Sequence, residues 1–202
     1  MKEVVKLMDY RPDIKIVDAT LRDGGLVNNF RFTDEFVKDL YQTNIKAGVD
    51  VMEFGYKADK EMFDVKDFGK WKFCDDEDIR AVVGDNNTDL KIAVMADVGR
   101  CNYKQDIKPR AESPVDVIRV ATYINQIPAA VDVIEDAVAK GYEVTCNIMA
   151  ISNAQEADIR VALDLLGKSP VNVIYIVDSF GALFPEQIAR IAALYGLSLI
   201  HI

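Results

Sequence analysis

Short runs of apolar and β-branched residues recur along the chain: Ile14 to Val17, Val49 to Phe54, Leu90 to Met95, Val115 to Val120, Glu143 to Met149 and Val171 to Val177. None alternates cleanly between apolar and polar, which is the pattern of strands covered on both faces. Helical periodicity lies between them. Phe36, Val37, Leu40, Tyr41 and Ile45 make one apolar stripe, with Thr33 as cap, Asp34 and Glu35 in the first turn and Gly48 just past the end. Ile127, Ala130, Val131, Ile134, Ala137 and Val138 make a second, closed by Gly141. Ala154, Ala157, Val161, Ala162, Leu165 and Leu166 make a third, closed by Gly167. Pro185 opens a fourth, at the position where a missing N–H costs nothing, with Ile188, Ile191, Ala192 and Tyr195 as its stripe.

Strand starts fall roughly 25 to 40 residues apart, the repeat of a βα unit. Strict alternation of strand and helix requires a parallel sheet, either a closed barrel or an open doubly wound sheet. The first βα turn lacks Gly-x-Gly-x-x-Gly, which weakens the dinucleotide-binding form of the open sheet. The strands finish in polar residues: Asp18, Glu53, Asp97, Thr122, Asn147, and Asp178 with Ser179. In a barrel such ends converge on one face, where these folds place their chemistry. The expected fold is α/β, a parallel (β/α)8 barrel that is incomplete. Six strands are clear, and Leu197 to Ile202 reads as the start of a seventh, so about six to seven βα units are present. Residues 1–202 then form the N-terminal and central part of a single barrel domain. Missing strands would leave unpaired edges and open apolar faces, which predicts self-association, as a homo-oligomer or otherwise, or low stability. One long connection, Tyr56 to Phe73, is rich in Lys, Asp and aromatics and follows a strand, so it belongs to the active face as a lid or a surface excursion.

Composition narrows the function classes. Half of the 202 residues are hydrophobic (50%), enough for one sizeable core. Acidic residues (33) outnumber basic ones (24), giving a net charge of −9 that argues against nucleic acid and anionic membranes as partners. No apolar run reaches the ~18 residues of a membrane span, and the first residues lack the apolar core of a signal peptide. Three scattered cysteines without a CxxC pair fit reduced thiols in the cytoplasm.

The most informative segment is Asp18-Ala19-Thr20-Leu21-Arg22-Asp23-Gly24-Gly25, at the end of the first strand. Its paired glycines predict a tight turn with backbone close to a ligand. Adjacent Arg22 and Asp23 also read as a plain structural ion pair. The segment resembles the Asp-x-Thr-Leu-Arg-Asp-Gly signature of the DRE-type metal-dependent barrels, the pyruvate carboxyltransferase-like and HMG-CoA lyase-like family, and within it most of all the 4-hydroxy-2-oxovalerate aldolases. Val117 to Thr122 and Tyr175 to Ala182 resemble strand ends of the same aldolases, in the expected order.

That resemblance implies aldolase or lyase chemistry, or acyl transfer, at a carbon–carbon bond beside a ketone. A small 2-oxo acid such as pyruvate would pass through an enolate. It implies a divalent cofactor, Mn²⁺ or Mg²⁺, with Asp23 as a ligand, because hard ions take carboxylate oxygens. Arg22 would be catalytic and substrate-binding, donating to the enolate oxygen. Ser179 would contact substrate, and Glu53 would add polar support. The metal would act as a Lewis acid. A lysine imine is the rival mechanism. It needs a lysine at the active end of a strand, whereas Lys15 and Lys91 stand near strand starts.

Two departures from the family pattern matter. Its histidine base falls at Leu26, which carries no proton, and a second histidine falls at Tyr123. Tyr123 or a metal-bound water is then the candidate acid–base group. The family's His-x-His metal pair is represented by His201 alone, followed by Ile202. A non-catalytic, degenerate barrel serving as a partner or scaffold module is the alternative reading.

Overall fold

The computed structural model describes residues 13–198. Six strands form one sheet in the order β1-β2-β3-β4-β5-β6, every neighbouring pair parallel. They are β1 (Val17–Asp18), β2 (Val51–Tyr56), β3 (Lys91–Asp97), β4 (Val117–Thr122), β5 (Glu143–Ile148) and β6 (Val173–Ile176). A doubly wound sheet reverses its strand order at a switch point. Here spatial order follows chain order throughout, so the sheet is an incomplete (β/α) barrel. Among the described residues β1 and β6 each pair on one side only.

Among the described residues seven α-helices connect or flank these strands: α1 (Thr20–Asn28), α2 (Asp34–Ala47), α3 (Asp76–Val83), α4 (Tyr103–Asp106), α5 (Ile127–Ala139), α6 (Glu156–Gly167) and α7 (Pro185–Ser198). Helix α2 starts where its cap predicts, with the Thr33 hydroxyl accepting from the Phe36 N–H at 3.3 Å. It ends at Gly48, which takes the left-handed conformation (φ 72°). The expected seventh strand is corrected in part: Leu197 and Ser198 are the last residues of α7, and Leu199 to Ile202, with His201, lie outside the described residues.

Strand residues alternate between two environments. Met52, Phe54, Ile92, Val94, Ile118, Val120, Val144, Cys146 and Ile148 are buried in the main apolar cluster, together with Val37, Tyr41, Ile134 and Leu163 of the helices. Each large side chain buried there contributes roughly 1.5–3 kcal/mol. The opposite face carries Glu53, Arg119, Thr145 and Asn147, all buried. The same face also carries buried Ala93, Met95, Val117 and Ala121, which is why β3 and β4 read as apolar runs, whereas β5, with Thr145 and Asn147 inward, alternates. At the strand starts lies a cavity of about 760 Å³, lined by residues that include Val17, Val51, Lys91, Val117, Arg119 and Val173.

Candidate active site at the strand mouth

The motif segment folds differently from its expected tight turn. Asp18 closes β1 and accepts from the Thr20 N–H (3.2 Å) and hydroxyl (2.8 Å), which starts α1. Gly24 and Gly25 are then helical. A Cβ on Gly25 would lie 2.2 Å from the Phe30 ring, so this glycine makes room for an aromatic side chain rather than a ligand. The chain reverses instead at Asn29 and Phe30, with φ of 55° and 61°. The short helix directs Arg22 towards β2.

Glu53 organises the charged groups at the mouth. It is fully buried, the third residue of β2 rather than its end, since that strand continues to Tyr56. One of its oxygens, Oε2, accepts from Arg22 Nε at 2.8 Å and from an Arg119 terminal nitrogen at 2.6 Å. Arg119 also donates to Asn147 at 3.3 Å, and its guanidinium lies 4.8 Å from the centre of the Tyr175 ring. One carboxylate thus fixes two guanidiniums drawn from β4 and α1. The other oxygen, Oε1, is buried without a partner among the described residues, as is Arg119 Nε. Burial works against the Arg22 charge, but the Glu53 carboxylate outweighs it and holds the guanidinium above its ordinary value. Arg22 therefore stays a cation in a desolvated setting.

The Asp23 carboxylate faces outward, 64% exposed, and accepts from Arg22. The Arg22–Asp23 pair is thus an ion pair, and it stands at the strand mouth. Among the described residues no three His, Cys, Asp or Glu side chains converge as a metal shell. Asp23 alone is too small a donor set for Mn²⁺ or Mg²⁺, which take several oxygens. The described residues do not by themselves fit the metal that the sequence resemblance implies.

The remaining candidates lie apart. Ser179 sits beyond β6, where its hydroxyl oxygen accepts from the Ala150 N–H at 2.9 Å and ties the β5 and β6 loops together. Beside it Asp178 accepts from the Leu183 N–H at 2.8 Å; backbone donors of Leu183, Ala182 and Phe180 hold its carboxyl below the ordinary value. Tyr123 follows β4 and is 44% exposed, with no side-chain hydrogen bond or ring contact to Arg22, Glu53 or Arg119. Leu26 lies on α1, exposed.

Several residues at the mouth were not picked out as candidates in the sequence. Arg119 had a readable signal, a charge inside the otherwise apolar run Val117 to Thr122. Tyr56, Asp97 and Lys72 form a second group. The Tyr56 phenol stands against Arg22, and burial pushes it above its ordinary value despite the pull of that cation. Burial likewise pushes up the Asp97 carboxyl at the end of β3, with Arg100 and Lys72 pulling the other way. Among the described residues no strand ends in lysine, and Lys91 opens β3, as expected, but two lysines outside the strands come close to their active end. Lys57 directly follows β2, but it is buried and paired to Asp76 at 2.9 Å. Lys72 arrives at the mouth from the Tyr56 to Phe73 connection.

No family model matches the chain. In sequence it is 27% identical over 180 residues to a 4-hydroxy-2-oxovalerate aldolase of Pelotomaculum thermopropionicum, covering 89% of this chain and 52% of that protein. It is 26% identical over 188 residues to an oxaloacetate decarboxylase of Mycobacterium tuberculosis, covering 91% of this chain and 53% of that one. The chain spans about half the length of the curated relatives it matches. Its fold is that of the N-terminal domain of a Bacteroides vulgatus protein assigned as an aldolase, with a TM-score of 0.70, 24% identity, and coverage of 90% of this chain and 60% of that one. It is also that of the HMG-CoA lyase of Brucella melitensis, with a TM-score of 0.62, 15% identity, and coverage of 91% and 68%. Over 89% of its length this chain is similar in sequence to 4-hydroxy-2-oxovalerate aldolase, and its fold is that of HMG-CoA lyase.

Proposed function

We propose that the chain carries the strand-mouth half of a lyase that makes or breaks a carbon–carbon bond beside the ketone of a small 2-oxo acid. The observation that carries this reading is Arg22, a desolvated cation at the end of the first barrel strand, oriented by the buried carboxylate of Glu53. Cleavage next to a ketone leaves a carbanion, reachable only when its charge spreads onto an oxygen as an enolate. A fixed guanidinium in a site of low dielectric stabilises that oxygen without reorganising. Glu53 engages only the Nε edge of Arg22, and Asp23 one terminal nitrogen, so further N–H groups remain for an oxyanion. Arg119 donates to the same carboxylate oxygen.

Divalent metal dependence is part of the proposal, on the sequence resemblance. Asp23 would supply an oxygen ligand and His201, the chain's one histidine, a nitrogen ligand. A bound Mn²⁺ or Mg²⁺ would polarise the 2-oxo group. Ser179 would contact substrate beyond β6, and Tyr123 would be the acid–base candidate. A cytoplasmic setting suits the cysteines, which are free, with burial pushing Cys101 and Cys146 up to about 12.

The test is release of pyruvate from 4-hydroxy-2-oxovalerate by the intact protein with Mn²⁺. Arg22→Met is expected to lower kcat by about 10² to 10³, the usual cost of losing an oxyanion donor. Asp23→Asn should weaken metal binding, read separately by calorimetry. The non-catalytic reading rests on Leu26, an exposed leucine where the family has its base. Absence of pyruvate release from the intact protein would favour it, and release indifferent to both substitutions would overturn the roles given to Arg22 and Asp23.

A further inference from the structure

The connection between β2 and α3 builds a cage around one ammonium. Lys72 Nζ lies 4.3 Å from the centre of the Phe63 ring, 4.8 Å from Tyr56, 5.2 Å from Phe30 and 5.4 Å from Phe68. The rings brace one another. Phe30 meets Tyr56 edge-on at 5.6 Å, and Phe63 meets Phe68 edge-on at 5.9 Å. The segment carrying them is anchored at several points. Trp71 is fully buried against Phe54, and the Gly69 N–H donates to Asn29 O at 2.7 Å. Arg31 donates to the carbonyls of Lys66 and Asp67. A Cβ on Gly69 would lie 2.0 Å from the Phe30 carbonyl oxygen, so the loop backbone presses on the turn that follows α1.

Within this cage the Lys72 ammonium makes no hydrogen bond or ion pair among the described residues. Aromatic faces attract a cation but accept none of its hydrogen bonds in the way an oxygen does. The charged groups that face it are Asp97 at the end of β3, which favours its charge, and Arg100 in the following loop, which opposes it. Burial weighs more than either and holds the ammonium below its ordinary value. The cage is half open, since Tyr56, Phe63 and Phe68 are all partly exposed. Tyr56, one wall of the cage, also stands against Arg22 through its phenol. Two cations, each with unused donors, thus meet the same tyrosine at the mouth of the sheet.

We propose that Lys72 is the docking point for the second anionic group of the substrate, so that the site selects a short dicarboxylic 2-oxo acid over a monoacid. This deepens the proposed function and rests on it. The 2-oxo end lies on Arg22 and the distal carboxylate reaches into the cage, where the ammonium gains the acceptor it lacks. The rings shield that contact from part of the solvent, which strengthens it.

The test is calorimetric titration of the intact protein, in buffer containing Mn²⁺, with 2-oxoglutarate and with 2-oxovalerate, which differ by the distal carboxylate. The wild-type protein should bind the dicarboxylate about tenfold or more tightly, the scale of one charge-assisted contact. Lys72→Met should abolish that preference and leave the 2-oxovalerate affinity and the melting temperature unchanged. Lys72→Arg should restore most of it. A preference that survives Lys72→Met overturns the proposal, as does an equal loss for both ligands, and the lyase reading stands in either case. Failure of the wild-type protein to bind both acids removes the lyase reading and this proposal with it.

Discussion

Glu53 answers two guanidiniums with one oxygen and sits out of solvent. Removing its charge would leave two cations facing a neutral amide. Breaking a buried pair of this kind costs about 3–5 kcal/mol. Glu53→Gln should therefore lower the urea midpoint severely, or prevent folding, while Asp23→Asn at the exposed end of the same cluster changes stability by under about 1 kcal/mol. Asp97 gives a pH signature. Its raised value means that the folded state disfavours the carboxylate, so ionised Asp97 costs stability at neutral pH. Acidification through that value relieves the cost, because the native state takes up the proton before the unfolded chain does. Asp97→Asn should melt above wild type at pH 7, with the gap closing as pH falls towards the ordinary value of 3.8. A gap of constant size across that range would contradict it. Of these residues, Arg22, Asp23 and Glu53 were legible in the sequence because a motif or a strand end marked them. Lys72 was not, because the rings that surround it come from β2, from the turn after α1 and from two distant points of its own loop. No local spacing records that meeting.

At the level of elements, the strand and helix order was readable and the first βα junction was not. Two glycines after a charged pair look like a turn, yet α1 begins at Thr20, whose N–H Asp18 accepts, and runs through both of them. They then serve different ends. A Cβ on Gly24 would meet the Phe32 ring at 3.5 Å, an ordinary contact, whereas on Gly25 it would collide with Phe30. Gly24→Ala should be neutral or stabilising by up to about 1 kcal/mol, the helix preference of alanine. Gly25→Ala should destabilise by about 1–3 kcal/mol through overpacking. Chemical denaturation of the two variants side by side checks the pair. Helix α3 also escaped the periodicity, because it has only eight residues and opens with three acids in a row. Its buried apolar residues are only Ile79 and Val83, with Val82 packed partly buried beside them.

At the scale of the whole molecule, the polar strand ends correctly favoured barrel order over a doubly wound sheet, since six parallel strands follow chain order without a switch point. Beside the unpaired sides of β1 and β6 lie exposed apolar groups, Ile14 and Ile16 at one, Val173, Ile176 and Phe180 at the other. No helix among the described residues is long and apolar enough to cross a membrane. A 202-residue chain with these edges, prepared alone, should associate with rising concentration in sedimentation velocity. A monodisperse monomer that melts cooperatively would contradict this. For the intact protein, the most direct measurement is exchange of the pyruvate methyl protons in D₂O, monitored by proton NMR with Mn²⁺ present. It reads enolate formation without requiring the second substrate. The account expects measurable exchange that falls about 10²-fold or more in Arg22→Met at unchanged melting temperature. Exchange at the wild-type rate in that variant would show that the guanidinium at the first strand's mouth does not carry the chemistry.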